Sequence, residues 1–116
     1  HASATLAQSL DKMGYHPYTF AIFGAMADKD IDGVLKPMMD LVDYWYCTDL
    51  STARAAKGID LAKQIRLLGK EAEVFSGAGS AYQMALDKAG EGDRIVIFGS
   101  FYTVAGVMAY RNNQAH

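Results

Sequence analysis

This 116-residue sequence is short of cysteine, with one, of proline, with two, and of any excess of charge. The lone Cys47 has no partner for an internal disulfide, and with three scattered histidines it makes no zinc-binding spacing. That usage suits a reducing compartment, so a cytoplasmic location without a structural metal is expected. Eleven Lys and Arg stand against thirteen Asp and Glu, a net charge of −2, and no basic stretch is present to collect nucleic-acid phosphates or anionic lipid. Neither nucleic acid nor a membrane is expected as a partner. No apolar run approaches the ~20 residues that cross a bilayer, and charged and polar residues recur from the start, unlike a signal peptide. A Walker A loop, G-x-x-x-x-G-K-[ST], is absent, which excludes that mode of nucleoside triphosphate binding by this chain alone.

What is present is globular. Hydrophobic residues make up 51% and charged residues 21%, so the chain can bury a core, and its length fits one domain over residues 1–116. Leu6, Leu10 and Met13 recur on one stripe, which predicts a helix over His1–Met13. No strand precedes that helix. The chain therefore reads as a piece of a longer protein that lacks the domain's first strand and whatever lies before it, with a processed native terminus as the alternative. Loss of such a strand is expected to leave the flank of the last strand open to pairing.

From there strands and helices alternate. Tyr18–Phe23, bounded by Pro17 and Gly24, is aromatic and apolar and predicts a strand buried on both faces. Asp30–Asp40 has helical spacing with Pro37 set to kink it. Tyr44–Thr48 predicts a second strand, Leu61, Ile65 and Leu68 a helix ended by Gly69, and Ala72–Phe75 a short edge strand. Tyr82, Ala85, Leu86 and Ala89 mark another helix, and Gly90-Glu-Gly-Asp93 a turn. Arg94–Phe98 predicts a fourth strand, central like the first. A last helix is expected near Thr103 as N-cap, with Val104, Val107 and Met108 inward. Such alternation predicts an α/β, Rossmann-like, three-layer αβα sandwich around a mainly parallel sheet of four strands in the order 3-2-1-4. Ligands of such sheets gather beyond the carboxyl ends of the strands at the switch point, here between strands 1 and 4. That brings 24–30 and 99–103 side by side.

Asp28, Lys29 and Asp30 lie on the loop into a helix. Either aspartate can cap that helix, whereas Lys29 opposes its dipole, which makes sense if it serves an anion. Ser100 reads as a cap or a ligand contact, its position favouring contact. Arg54 can grip a carboxylate bidentately or simply be solvated. Gly77-Ala-Gly79-Ser-Ala-Tyr82 opens a helix after a strand, but the third glycine of G-x-G-x-x-G is Tyr82, so a tight turn is the better reading. His16 reads as a surface loop residue and Cys47 as packed, while Trp45 and the tyrosines are core or face a further domain.

Three segments carry a resemblance: Phe23-Gly24-Ala-Met-Ala-Asp28-Lys29-Asp30, the loop with Thr48 and Arg54-Ala55, and Gly92-Asp93-Arg-Ile-Val-Ile-Phe-Gly99-Ser100-Phe-Tyr-Thr-Val104. In order and spacing they resemble, over essentially the whole chain, the C-terminal domain of the dihydrofolate synthase/folylpolyglutamate synthase family of the Mur ligase superfamily. His1-Ala2 is similar to the end of that family's Asp-Gly-Ala-His-Asn-Pro-His-Ala segment. The resemblance implies a cytoplasmic ligase in which ATP with Mg2+ phosphorylates a dihydropteroate or folate carboxylate and the amine of L-glutamate then attacks the acyl phosphate. It implies an N-terminal P-loop domain that supplies the ATP and Mg2+ sites, and a C-terminal domain that closes over it. Lys29 and Ser100 would bind glutamate carboxylates, with Arg54, Asp28 and Asp30 as further candidates. His1 is the one candidate toward the nucleotide. Without the P-loop domain this piece is expected to be inactive. The alternatives are a stand-alone Rossmann- or flavodoxin-like module that binds a nucleotide, and a purely structural docking domain.

Overall fold

The computed structural model describes residues 2–114. Its elements in chain order are α1 (Ala2–Lys12), β1 (Thr19–Phe23), α2 (Ile31–Leu35), a 3-10 turn (Lys36–Met38), β2 (Tyr44–Thr48), α3 (Gly58–Leu67), β3 (Ala72–Phe75), α4 (Ala78–Lys88), β4 (Arg94–Phe98) and α5 (Phe101–Gln114). The four strands form one parallel sheet in the order β3-β2-β1-β4. This is the predicted topology.

Alternation along the strands divides the core in two. Ala21, Phe23, Trp45 and Cys47 point to the face covered by α1, α2 and α3, where Leu10, Leu35, Leu61 and Ile65 meet them. Phe20, Ile22 and Tyr46 point to the other face, against Ala78, Ala81 and Ala85 of α4 and Val107 of α5. All five residues of β1 are buried, as a central parallel strand requires. Pro37 acts as expected: α2 stops at Leu35 and the chain continues as a single 3-10 turn. Gly69, with φ +94°, ends α3 in the left-handed region.

The lower end of the sheet is tied by side chains. The Asp93 carboxylate accepts from the Tyr18 and Gly90 N–H groups, and Arg94 donates to Thr19 Oγ1 and to the Leu10 carbonyl near the end of α1. His16, half-buried, places Nδ1 2.8 Å from the Gly92 carbonyl.

Three expectations are corrected. Among the described residues β4 pairs with β1 alone, so it is an edge strand, not a central one, and four of its five residues are only partly buried. α5 begins at Phe101, not near Thr103. Finally, Val107 alone of the three named residues is buried; Val104 and Met108 are 41% and 49% exposed.

Candidate functional site

The carboxyl ends of β1 and β4 approach closely. Gly24 N–H donates to the Phe98 carbonyl, and Thr103 Oγ1 donates to the Gly24 carbonyl at 2.8 Å. Gly99 adopts φ +109°, and a Cβ there would collide with the Gly24 carbonyl oxygen and the Phe23 ring. Only glycine fits that crossing. The chain is thereby turned from β4 directly into α5, with the first turn of the helix beside the loop that leaves β1.

A cleft of about 620 Å³ opens at this place. Its lining includes Leu6 of α1, Val34 of α2, Phe98, and Phe101 and Val104 of α5, with Ser3, Lys29 and Ser100 as its polar side chains. Of the two readings the sequence left open for Ser100, helix cap or ligand contact, the structure shows the cap, at a position that lines the cleft. Its hydroxyl oxygen accepts from Tyr102 N–H at 3.0 Å and its carbonyl accepts from Thr103 and Val104 N–H, which makes it the N-cap of the 14-residue α5. A hydroxyl that accepts one hydrogen bond keeps its own proton to donate. The cap therefore leaves a donor free to face the cleft, at the positive end of a helix.

The remaining candidates separate. Asp30 is the N-cap of α2, its Oδ1 accepting from Gly33 N–H at 3.2 Å, and it does not line the cleft. Asp28 and Arg54 meet each other instead: Arg54 Nη2 lies 3.2 Å from Asp28 Oδ2, on the loops after β1 and β2. Those loops are joined by backbone as well, through a Met26–Ala55 bridge made of the Ala27 N–H to Arg54 carbonyl and Ala56 N–H to Ala25 carbonyl bonds of 2.8 and 2.9 Å. Lys29 and Ser100 thus share the cleft, whereas Arg54 and Asp28 pair with each other outside its lining. His1 lies outside the described residues.

Of the glycines at 77 and 79 only the second has a packing role, since a Cβ on Gly77 would meet nothing within 4 Å. A Cβ on Gly79 would overlap the Tyr110 ring of α5, and one on Gly106 of α5 would press on Ala78. Gly79 and Gly106 let α4 and α5 pack at close range. Cys47 is fully buried, and burial pushes its thiol up to about 12. It is no nucleophile at neutral pH. Thr103 and Phe101 were not singled out as site residues by the sequence. A hydroxyl at helical spacing inside an apolar run was the available signal for the first, and nothing marked the second as an exposed lip.

Among the described residues no group of three or more His, Cys, Asp or Glu side chains gathers as metal ligands would, and no helix is long and apolar enough to cross a membrane.

Residues 1–101 match the family described as Mur ligase, glutamate ligase domain. A dihydrofolate synthase/folylpolyglutamate synthase of Buchnera aphidicola is 30% identical over 114 residues, covering 98% of this chain and 27% of the relative. The Escherichia coli protein of that name is 31% identical over 108 residues, covering 93% and 25%. Among solved structures, Escherichia coli FolC in complex with DHPP and ADP superposes with a TM-score of 0.93 at 28% identity, over 100% of this chain and 27% of that one. A bifunctional folylpolyglutamate synthase/dihydrofolate synthase with Mn, AMPPNP and L-glutamate bound superposes at 0.85 and 34% identity, over 97% and 26%. The chain spans about a quarter of the length of these relatives.

Proposed function

Because the chain belongs to the Mur ligase family, as a glutamate ligase domain, we propose that it is the C-terminal domain of an ATP-dependent ligase that joins L-glutamate to dihydropteroate or folate. One observation carries the reading: the Lys29 ammonium and the Ser100 hydroxyl border one cleft at the switch point of the sheet, where the two loops are locked together by Thr103 and Gly99. An amino acid with two carboxylates needs fixed cationic and hydroxyl donors that hold it while its amine is aimed at an acyl carbon. Lys29 supplies the charge. Ser100 supplies a directional hydrogen bond, and its role as N-cap fixes where that bond points. Arg54 adds a second cation on the loop bridged to that of Lys29.

The nucleotide and the divalent ion belong to the rest of the parent protein in this reading, since the described residues of this chain offer neither a Walker A loop nor a cluster of metal ligands. When bound, ATP supplies the phosphoryl group that activates the acceptor's carboxylate. This domain contributes amino-acid binding, orientation of the amine and, on closing against a P-loop domain in the same chain, exclusion of water from the activated acyl group. A cytoplasmic site of action fits the single buried thiol.

The test is glutamate incorporation into dihydropteroate and folate by the full-length parent, with glutamate and ATP varied separately. ATP-dependent incorporation that is crippled at low glutamate by combined Lys29→Ala and Ser100→Ala substitution supports the reading. No incorporation by the unaltered protein, or incorporation indifferent to both substitutions, refutes it.

A further inference from the structure

Asp28 and Arg54 form an ion pair in which both side chains are about three-quarters exposed, at 72% and 75%. Pairs so open to water contribute little to stability. This one is not needed to join its loops either, because the two backbone hydrogen bonds of the Met26–Ala55 bridge already do so. What the pair does change is the freedom of the arginine. A long side chain on an exposed loop samples many rotamers, and a carboxylate that takes one of its five N–H donors narrows that choice while leaving four donors to spare.

We infer that Asp28 is a positioning residue: it holds the Arg54 guanidinium so that the remaining donors of the planar fork take a carboxylate of the incoming amino acid at the rim beside Lys29. The inference rests on the glutamate-ligase reading above and deepens it. Charge supports it. Asp28 has the same sign as the substrate's carboxylates and would repel them in direct contact, whereas turned toward Arg54 its charge is absorbed by a partner. Asp30, the other acid of the segment, is likewise spent on the Gly33 N–H. With both aspartates hydrogen-bonded within the chain, Lys29 and Arg54 are cations of these two joined loops that can meet an anion, and the planar guanidinium fits a carboxylate in a way that an ammonium cannot.

A double-mutant cycle in the full-length parent protein tests this, with KM for glutamate and for ATP and the thermal midpoint measured for each form. Arg54→Ala is expected to raise KM for glutamate about 10- to 100-fold. Asp28→Ala should raise it about 3- to 10-fold, and Asp28→Glu, which keeps the carboxylate, should return it to within about twofold of the unaltered protein. The double variant should be no worse than Arg54→Ala alone, because a residue that acts only through Arg54 has nothing left to position. KM for ATP and the thermal midpoint should not move. Losses that add, which would mean a direct contact between Asp28 and substrate, overturn the inference, and so does an unchanged or lowered KM for glutamate in Asp28→Ala. If Lys29→Ala raises KM for glutamate while Asp28→Ala does not, the positioning role fails and the ligase reading stands; if the unaltered protein incorporates no glutamate, both fall.

Discussion

Thr103 Oγ1 reaches the Gly24 carbonyl oxygen across 2.8 Å, from a position with no exposure to solvent, so the first turn of α5 is fastened to the end of β1 by a side chain. The two loops that border the cleft are therefore one mechanical unit. A ligand that grips Ser100 is held by a helix whose footing is the central strand.

Removing that fastening should be costly. Thr103→Val keeps the shape but leaves the Gly24 carbonyl without this buried donor, and should destabilise the domain by about 1–3 kcal/mol, whereas Thr103→Ser should lose less than half as much. Denaturant midpoints of the two variants decide the matter; equal losses would point to the methyl rather than the hydroxyl.

Gly99 and Gly69 provide a contrast. Both have positive φ, but a Cβ on Gly69 meets nothing within 4 Å while one on Gly99 strikes the Gly24 carbonyl and Phe23. Gly69→Ala should cost only the backbone term, about 1 kcal/mol, and Gly99→Ala about 3 kcal/mol or more, read as the difference in thermal midpoint.

Lys29→Ala separates folding from binding. α2 has a single turn of five residues, so its dipole is weak and the substitution should shift stability by less than about 0.5 kcal/mol, while KM for glutamate in the full-length parent should rise about 10- to 150-fold. A lowered melting point with unchanged glutamate kinetics would make Lys29 a structural residue.

Alkaline pH should weaken the fold through Cys47. Its thiol is pushed from 9.0 up to about 12 by burial, partly offset by the charge of Arg66, so above pH ~9 the unfolded chain releases a proton that the native chain retains. Stability conferred by the neutral thiol is complete below pH ~9 and declines by up to about 1.4 kcal/mol per pH unit until the native thiol itself titrates near 12. Tyr46 acts in the same direction, its phenol raised first by burial and then by the charge of Glu73. Urea midpoints between pH 8 and 11 should fall, and Cys47→Ala should flatten the slope; a flat profile in the unaltered protein would show that water reaches the thiol.

The isolated 116-residue chain should hydrolyse no ATP and form no amide, because no Walker A loop is present in it. Turnover proportional to protein and surviving repurification would contradict this.

The strands and their order were readable because each lies between turn residues: Pro17 and Gly24 frame β1, Gly69 precedes β3, and Gly92-Asp93 introduces β4. The start of α5 was not. Ser100 and Thr103 are both good caps, and the choice between them is made by a tertiary partner, the Gly24 carbonyl, which draws the threonine hydroxyl away. The position of β4 misled for another reason: Ile95, Val96 and Ile97 report how apolar a strand's two faces are, not whether its hydrogen-bonding edge has a neighbour. At the candidate site, the nearness of Lys29 and Ser100, which line one cleft, was legible from the positions of their loops. The Asp28–Arg54 pair was not, since nothing in residues 26 apart announces that their loops are stitched by a backbone bridge.

Trp45 is the sole tryptophan of this sequence, 1% exposed on β2, set in a T-shaped contact with Phe23 and with no hydrogen-bond partner for Nε1 among the described residues. An indole shielded from water and from polar relaxation emits at the blue end of its range, and it moves to the red when solvent arrives. The domain consequently carries its own optical gauge. Because Trp45 touches the rings of both Phe23 and Phe98, the residues at the ends of β1 and β4, its light should report first on loosening beneath the cleft, before the rest of the sheet comes apart.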